Sequence, residues 1–280
     1  MTSPATAATP PETANHSHSA GRIAAFVLRH YYLLRGSRSR LLGMIYWPAV
    51  NLVTWGYLNQ YLFRHQASPV VGFGVLLAGA LLWEMVQRSQ VSVMFGTIEE
   101  MWARNLMQLF VSPLTLAEFL AGSVIVSFLF TSCAMLVCAV LVLTIFDFAL
   151  FDLGWPFLAF YFMQLMTGWW VGMLLSAMLI RFGLGVEWLA WMAGVIIIPL
   201  AGAYYPVSVL PGWVQHISRL LPPTYIFEGM RQILQQQHFD SALLIKSFLL
   251  NLLYLAAAGA VFMIAFNSAR RCGSLMQSGE

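Results

Sequence analysis

The sequence predicts an all-α integral membrane protein, and three observations carry that prediction. Apolar residues make up 60% of the 280 and charged residues only 9%, with a mean hydropathy of +0.74. Soluble domains carry about a quarter charged residues, so a water-soluble globule is excluded. Six apolar stretches match the roughly 20 residues a helix needs to cross a hydrocarbon core about 30 Å thick. Arginine is also spread unevenly between the connections, as in multi-pass proteins oriented by cytoplasmic positive charge.

Residues 1–20 are rich in Pro, Ala, Ser and Thr and have no apolar core. They are expected to form a disordered tail, not a signal peptide. Next, Ile23, Phe26, Val27, Tyr31 and Leu34 recur at helical spacing, with Arg22 and Arg29 on another face. That pattern predicts a basic amphipathic helix along the cytoplasmic membrane surface. It serves as an anchor and topology signal, or it also packs against a cytoplasmic partner. Spans are expected near 42–62, 70–93, 116–146, 155–180, 187–205 and 242–267. Residues 21–270 thus form one transmembrane domain, followed by a cytoplasmic tail at 271–280.

Orientation follows from the basic residues. Arg22, Arg29, Arg35, Arg38, Arg40, Arg88, Arg104, Arg181, Arg270 and Arg271 fall on one side, and Arg64, Arg219, Arg231 and Lys246 on the other. Both termini are therefore expected in the cytoplasm. The connection after the third span, with Asp147 and Asp152 and no basic residue, fits the outside.

Several chemistries are excluded. The only lysine, Lys246, follows Ile245, so no Gly-Lys pair exists to build a phosphate-cradling P-loop. Energy from ATP would have to come from another polypeptide. Cys133, Cys138 and Cys272 give no disulfide framework and read as small apolar fillers. The six histidines show no metal-ligand spacing. Neither a G-x-S-x-G nor an H-E-x-x-H is present. No covalent chemistry, resident cofactor or nucleic-acid partner is expected.

Two stretches stand out between the spans. In "GTIEEMWARNLMQLFVSPLTLAEFLAG", Thr97 to Glu100 and Thr115 to Glu118 are each spelled as a capping box, in which a hydroxyl and a carboxylate satisfy the free N–H groups of a helix start. The spelling predicts a short helix over 97–110, stopped at Ser112-Pro113, then a second helix opening the third span. Two capped helices joined at Pro113 make a rigid cytoplasmic elbow, or else an ordinary capped loop. In "YYPVSVLPGWVQHISRLLPPTYIFEGMRQIL", Pro199, Pro206 and Pro211 deny the fifth span a continuous exit. Trp213, Ile217 and Leu220 then mark a short amphipathic helix, Pro222-Pro223 breaks it, and a second helix carries Glu228 and Arg231 three apart. Irregular backbone at membrane depth is tolerated where it is buried in protein or lines a cavity, so the segment reads as a re-entrant cap.

Inside the spans, Glu84 precedes Arg88 by four residues, the favourable order for a helical ion pair. The pair faces a pathway or a neighbouring subunit, or Arg88 snorkels to the interface. Trp47, Asn51, Trp55 and Asn59 recur every four residues. That stripe suits a sugar or an amphipathic lipid, or forms an interfacial belt with interhelical hydrogen bonds. Gly168 and Gly172 permit a close helix contact.

The elbow and the re-entrant stretch, in this order, resemble the membrane subunits of type-2 ABC exporters over about residues 20–270. The resemblance implies six spans, a coupling helix after the second and re-entrant helices between the fifth and sixth. It implies a homodimer, or a heterodimer with a related permease, bound to separate ABC ATPase subunits in a bacterial inner membrane. ATP and magnesium would sit on the ATPase. Thr97, Glu99, Glu100, Met101 and Arg104 would couple to that partner, and Pro206, Pro211, Trp213, Pro222, Glu228 and Arg231 would form an outer gate. Trp47, Asn51, Trp55, Glu84 and Arg88 are the candidate pathway residues. The substrate would be a polysaccharide, lipid, drug-like or other amphipathic molecule. Two rival readings are an intramembrane enzyme acting on lipid-linked substrates, using Glu84, Asp147, Asp152 or Glu228, and a non-transporting scaffold.

Overall fold

A computed structural model describes residues 12–36, 38–65, 74–103, 113–147, 154–236 and 239–272. Among these the regular elements are all helical. In chain order they are α1 (Glu12–Arg35), α2 (Arg38–His65), α3 (Val75–Trp102), α4 (Leu116–Phe146), α5 (Pro156–Phe182), α6 (Glu187–Ala201), α7 (Gly212–Ser218), α8 (Pro222–Gln236) and α9 (Ser241–Cys272). Single 3-10 turns occupy Leu184–Val186 and Val207–Val209.

The described parts of the six apolar stretches fall on helices α2 to α6 and α9, with one correction: the stretch expected over 187–205 leaves the helix at Ala201, where Gly202 turns the chain, and residues 70–73 lie outside the described residues. Among the described residues, four segments are long and apolar enough to cross a membrane: Leu116–Phe146, Pro156–Phe182, Leu184–Ala201 and Ser241–Arg271. The helices α2 and α3, 28 residues each, are diluted by Arg, Asn and Gln in α2 and by Glu84, Arg88, Glu99 and Glu100 in α3. At 1.5 Å per residue each is about 42 Å long.

The buried axis of the bundle is α3, which is covered along nearly its whole length from Val75 to Met101. Helix α5 lies against it through Gly168 and Gly172. A Cβ on Gly168 would come within 1.8 Å of Ser89 Oγ and 2.5 Å of the Val86 carbonyl, and one on Gly172 within 2.7 Å of the Gln90 carbonyl. The G-x-x-x-G is thus an internal α3–α5 contact. Around it, Trp169 Nε1 donates to Ser127 Oγ of α4 at 3.2 Å, and Ser127 Oγ donates to the Ser89 carbonyl at 3.1 Å. Three helices are tied at one level. On its other side α5 packs on α9, where Asn251 accepts from Thr167 Oγ1 at 3.0 Å and from Trp170 Nε1 at 3.1 Å.

The two ends of the bundle differ. At one end α1 meets the start of α4 and the last turns of α5 and α9 in a cluster of Phe26, Phe119, Ile180, Phe262, Phe266 and Ala269. At the other, α8 buries Ile226, Phe227 and Met230 completely against the first turns of α3 and α5. There α3 approaches so closely that a Cβ on Gly79 would come within 2.6 Å of the Ala203 carbonyl.

Two sequence expectations are corrected. Helix α1 begins at Glu12, inside the stretch expected to be a disordered tail, and Ser19 already bonds Glu118. More importantly, Thr97 does not start a helix. It lies inside α3, which runs on to Trp102, and its buried hydroxyl lacks a hydrogen-bond partner. A capping box needs non-helical backbone at its first residue, and nothing breaks α3 before it. Gly96, just before it, is a packing contact: a Cβ there would stand 3.2 Å from Ser123 Oγ of α4. The second capping box does form. Thr115 Oγ1 accepts from the Glu118 N–H at 3.3 Å, and Glu118 Oε2 accepts from the Thr115 N–H at 2.8 Å.

Candidate functional site

Three zones hold the residues singled out by sequence. The first is the end bearing α1. Arg22, Phe26 and Arg29 repeat on one face of α1, and that face turns toward the protein. Arg22 Nε donates to Glu118 Oε2 at 2.9 Å and its NH2 to Oε1 at 2.5 Å, while Ser19 donates to the same carboxylate. Hydrogen bonding to Glu118 holds the Arg22 pKa above its usual value. One turn beyond, Phe26 sets its ring edge-on to Phe119, centroids 5.4 Å apart, over Gly122. A Cβ on Gly122 would come within 2.6 Å of that ring. Arg29 then forms an ion pair with Glu100 near the end of α3. Helix α1 therefore clips together both arms of the α3–α4 connection.

This changes the expected surface of the elbow. Thr97, Glu100 and Met101 are buried within the chain, Glu99 is half-buried and Trp102 is exposed. Arg104 and the rest of the expected 97–110 helix beyond Ala103 lie outside the described residues, as does Asp152. The sequence expectation that Arg22 and Arg29 lie on a different face of α1 from Phe26 is corrected: spaced four and three apart, the three share the face that packs on α3 and α4. The partners of the two arginines are 96 and 71 positions away, a distance no local pattern spans.

The second zone lies midway along α3. Asn51 Nδ2 donates to Glu84 Oε1 at 2.6 Å, and Arg88 Nε stands 3.6 Å from Glu84 Oε2. One turn along α2, Trp55 stacks on Tyr204, centroids 4.0 Å apart and planes 20° from parallel. Glu84 is 3% exposed, whereas Asn51, Trp55, Arg88 and Tyr204 are half-buried. The structure thus joins Asn51, Trp55, Glu84 and Arg88 into one polar niche and adds Tyr204, which sequence reasoning missed. Trp47 stands apart and is exposed, and Asn59 is buried.

The third zone is the cap. Helix α6 contains Pro199 and stops at Gly202, whose φ of +65° is left-handed. Pro206 begins the 3-10 turn and Pro211 begins α7. Trp213, Ile217 and Leu220 point outward, while Val214 and Ser218 are buried. Pro222 opens α8, where a missing N–H costs nothing, and its carbonyl accepts from Ser247 of α9 at 3.0 Å. Arg231 departs from the local pairing its spacing suggested. It turns from Glu228 and donates to the Gly202 carbonyl at 2.8 Å, closing the C-terminal end of α6. Tyr225 and Tyr254 donate to the Arg219 and Leu220 carbonyls, at 2.7 and 3.0 Å.

Apolar faces left exposed along α4, α6 and α9, with a charge pair inside the bundle whose carboxylate is buried and a folded cap between helices, are the build of a membrane transport protein. The family model described as ABC-2 type transporter matches residues 27–235, and the chain belongs to that family. It is a transporter membrane subunit, of a family that generally works with an ABC ATPase partner. No curated protein matches the chain.

Proposed function

We propose that this chain is the permease subunit of an ATP-driven exporter, acting as two copies with two ATPase subunits. In this reading all six long helices α2 to α6 and α9 span a bacterial inner membrane, with both termini in the cytoplasm. The substrate is amphipathic, and leaves the cytoplasm or inner leaflet past the cap. ATP and magnesium belong to the partner.

The observation that carries the reading is the course of α3. It runs unbroken from Gly79, beside the cap, to Trp102, beside the α3–α4 connection, and α1 grips that connection through Glu100 and Glu118. A partner that moves the connection moves α1, α3 and the start of α4 as one piece. Displacement at the Trp102 end then reaches Ala203 and the cap without a hinge. ATP binding would select one of two arrangements of this piece. Thr97, Glu100 and Met101 transmit in this scheme, and Arg104 and Glu99 remain the candidates for touching the partner. Pro206, Pro211, Trp213, Pro222, Glu228 and Arg231 shape the outer gate.

The test is reconstitution. The purified chain alone should not hydrolyse ATP, and with its ATPase it should form a complex whose hydrolysis responds to substrate. Hydrolysis by the chain after rigorous removal of other proteins would sink the exporter-subunit reading.

A further inference from the structure

The exposed face of α2 differs in composition from the other exposed helix faces. Along α4 and α9 the outward residues are mostly aliphatic, as at Leu136, Val140, Leu253 and Ile264, which suits hydrocarbon. Along α2 they include Gly43, Trp47, Val50, Thr54, Tyr57 and Tyr61, spaced four, three, four, three and four apart. That spacing is a single stripe along the helix, matching the seam positions of two helices packed at a shallow angle. The other side of α2 is packed, with Leu52, Gly56 and Asn59 buried. Headgroup belts account for aromatic residues near the two ends of a span, but not for Gly43 or Thr54. Glycine is a poor helix former, and among the described residues a Cβ added at Gly43 would meet nothing within 4 Å. Packing inside the chain therefore does not require it. Helix interfaces within a membrane do use Gly and Thr, which let two backbones approach. Next to the stripe, Asn51 bonds Glu84, and the Arg88 side chain paired with that carboxylate keeps 19% of its surface exposed. Hydrocarbon is a costly cover for a guanidinium, and a second protein surface would keep lipid away from it.

Symmetry and charge point to the occupant. Copies of one chain enter a membrane the same way up, so a two-fold axis relating them runs along the membrane normal. Such an axis sets two α2 helices parallel and level, so that each seam residue meets its own counterpart. No charged residue lies between Gly43 and Tyr61, so pairing brings no like charges together within the bilayer, and Arg64 follows only at the outer end. A different protein would need a matching face of its own, whereas a second copy has one by construction. We infer that the α2 stripe from Gly43 to Tyr61 is the surface on which a second copy of this chain docks, α2 against α2. This assignment rests on the two-copy transport reading and names the contact within it.

Disulfide trapping of the full chain in native membranes tests it. In a background free of Cys133, Cys138 and Cys272, the single variants on the stripe are Trp47→Cys, Val50→Cys, Thr54→Cys and Tyr57→Cys. Ala49→Cys and Val53→Cys sit beside the stripe, while Leu136→Cys on α4 and Val195→Cys on α6 report two other exposed faces. Oxidation with copper phenanthroline should give a covalent dimer at 47, 50, 54 and 57, and only background at 49, 53, 136 and 195. Particle mass in lipid nanodiscs supplies a second readout. Thr54→Trp adds bulk at a position exposed in the single chain, so it should leave the melting temperature unchanged while shifting the particle from two copies toward one. Val50→Trp repeats the measurement if Thr54→Trp fails to fold. Trapping at 136 or 195 in place of the stripe, or a two-copy particle with no trapping on α2, would overturn the α2 contact and leave the two-copy reading standing. Retention of two copies by both folded Trp variants would also overturn it. A one-copy particle for the unsubstituted chain would overturn both. Neither readout needs ATP hydrolysis, so loss of the exporter reading and loss of this contact are separate results.

Discussion

Gly168 shows how little slack the helix contacts have. Any Cβ there meets not only the Ser89 hydroxyl, which can rotate, but also the Val86 carbonyl at 2.5 Å, which cannot. Gly168→Ala should therefore push α5 off α3 and destabilise the protein by about 1–3 kcal/mol. Gly259 has nothing within 4 Å of such a Cβ, so Gly259→Ala should be neutral. Thermal unfolding of both variants in detergent checks the contrast, and equal melting temperatures would show that the close approach is not needed. Asn251 makes a second residue-scale case. Its removal leaves Trp170 Nε1 without an acceptor inside the α5–α9 contact. Asn251→Ala should cost about 1–2 kcal/mol, read from the same melts, and Asn251→Asp should recover part of it by restoring an acceptor.

Among the elements, α1 makes the sharpest demand. It supplies the cations facing two carboxylates, Glu100 at 2% and Glu118 at 6% exposure. A chain lacking residues 1–36 would keep both acids without Arg22 and Arg29. That chain should accumulate poorly in membranes, and Glu100→Gln with Glu118→Gln should restore a good part of the yield. Full accumulation of the truncated chain would show that the clip is dispensable. Arg104 probes the other face of the same connection. Arg104→Glu should leave membrane insertion intact while weakening ATPase recovery or uncoupling hydrolysis from transport. Normal complex recovery and transport would remove Arg104 from the coupling contacts.

The elements also show which signals sequence carries. Six apolar stretches landed on helices because length and hydropathy are local properties, and Thr115–Glu118 read correctly because the chain is extended at Thr115, with ψ 157°. The same spelling at Thr97–Glu100 failed because helix already ran through it. The side chains do not disclose that difference; only the preceding backbone does. Gly96 and Gly122 carry no local signal, and their packing partners, Ser123 and Phe26, become visible only when helices are placed side by side. The niche was half legible: the four-residue repeat on α2 and the Glu84–Arg88 spacing were plain, but Tyr204 arrives from the cap, 120 positions from Glu84.

For the whole molecule, orientation is the property to measure. In a background free of Cys133, Cys138 and Cys272, single cysteines at Ser17 and Ser278 should be shielded from an impermeant thiol reagent in intact spheroplasts. One at Gln215, in the cap, should be labelled. Labelling of both termini from outside would invert the arrangement and place the α1 clip away from any cytoplasmic ATPase.

The α1 clip also has a consequence for the order of synthesis. When α1 leaves the ribosome, neither Glu100 nor Glu118 has been made, so Arg22 and Arg29 are free cations that can hold the N-terminus on the side where it first meets the membrane. Only when the α3–α4 hairpin is complete, with both its connecting ends on that side, can the two acids reach them. A hairpin inserted upside down presents neither acid to α1. In the proposed orientation the same two arginines would act twice, first as free cations and, some seventy to ninety-six residues later, as partners of the two acids. If α2 to α4 cross the membrane as proposed, closure of the clip is open only to chains in which those crossings agree.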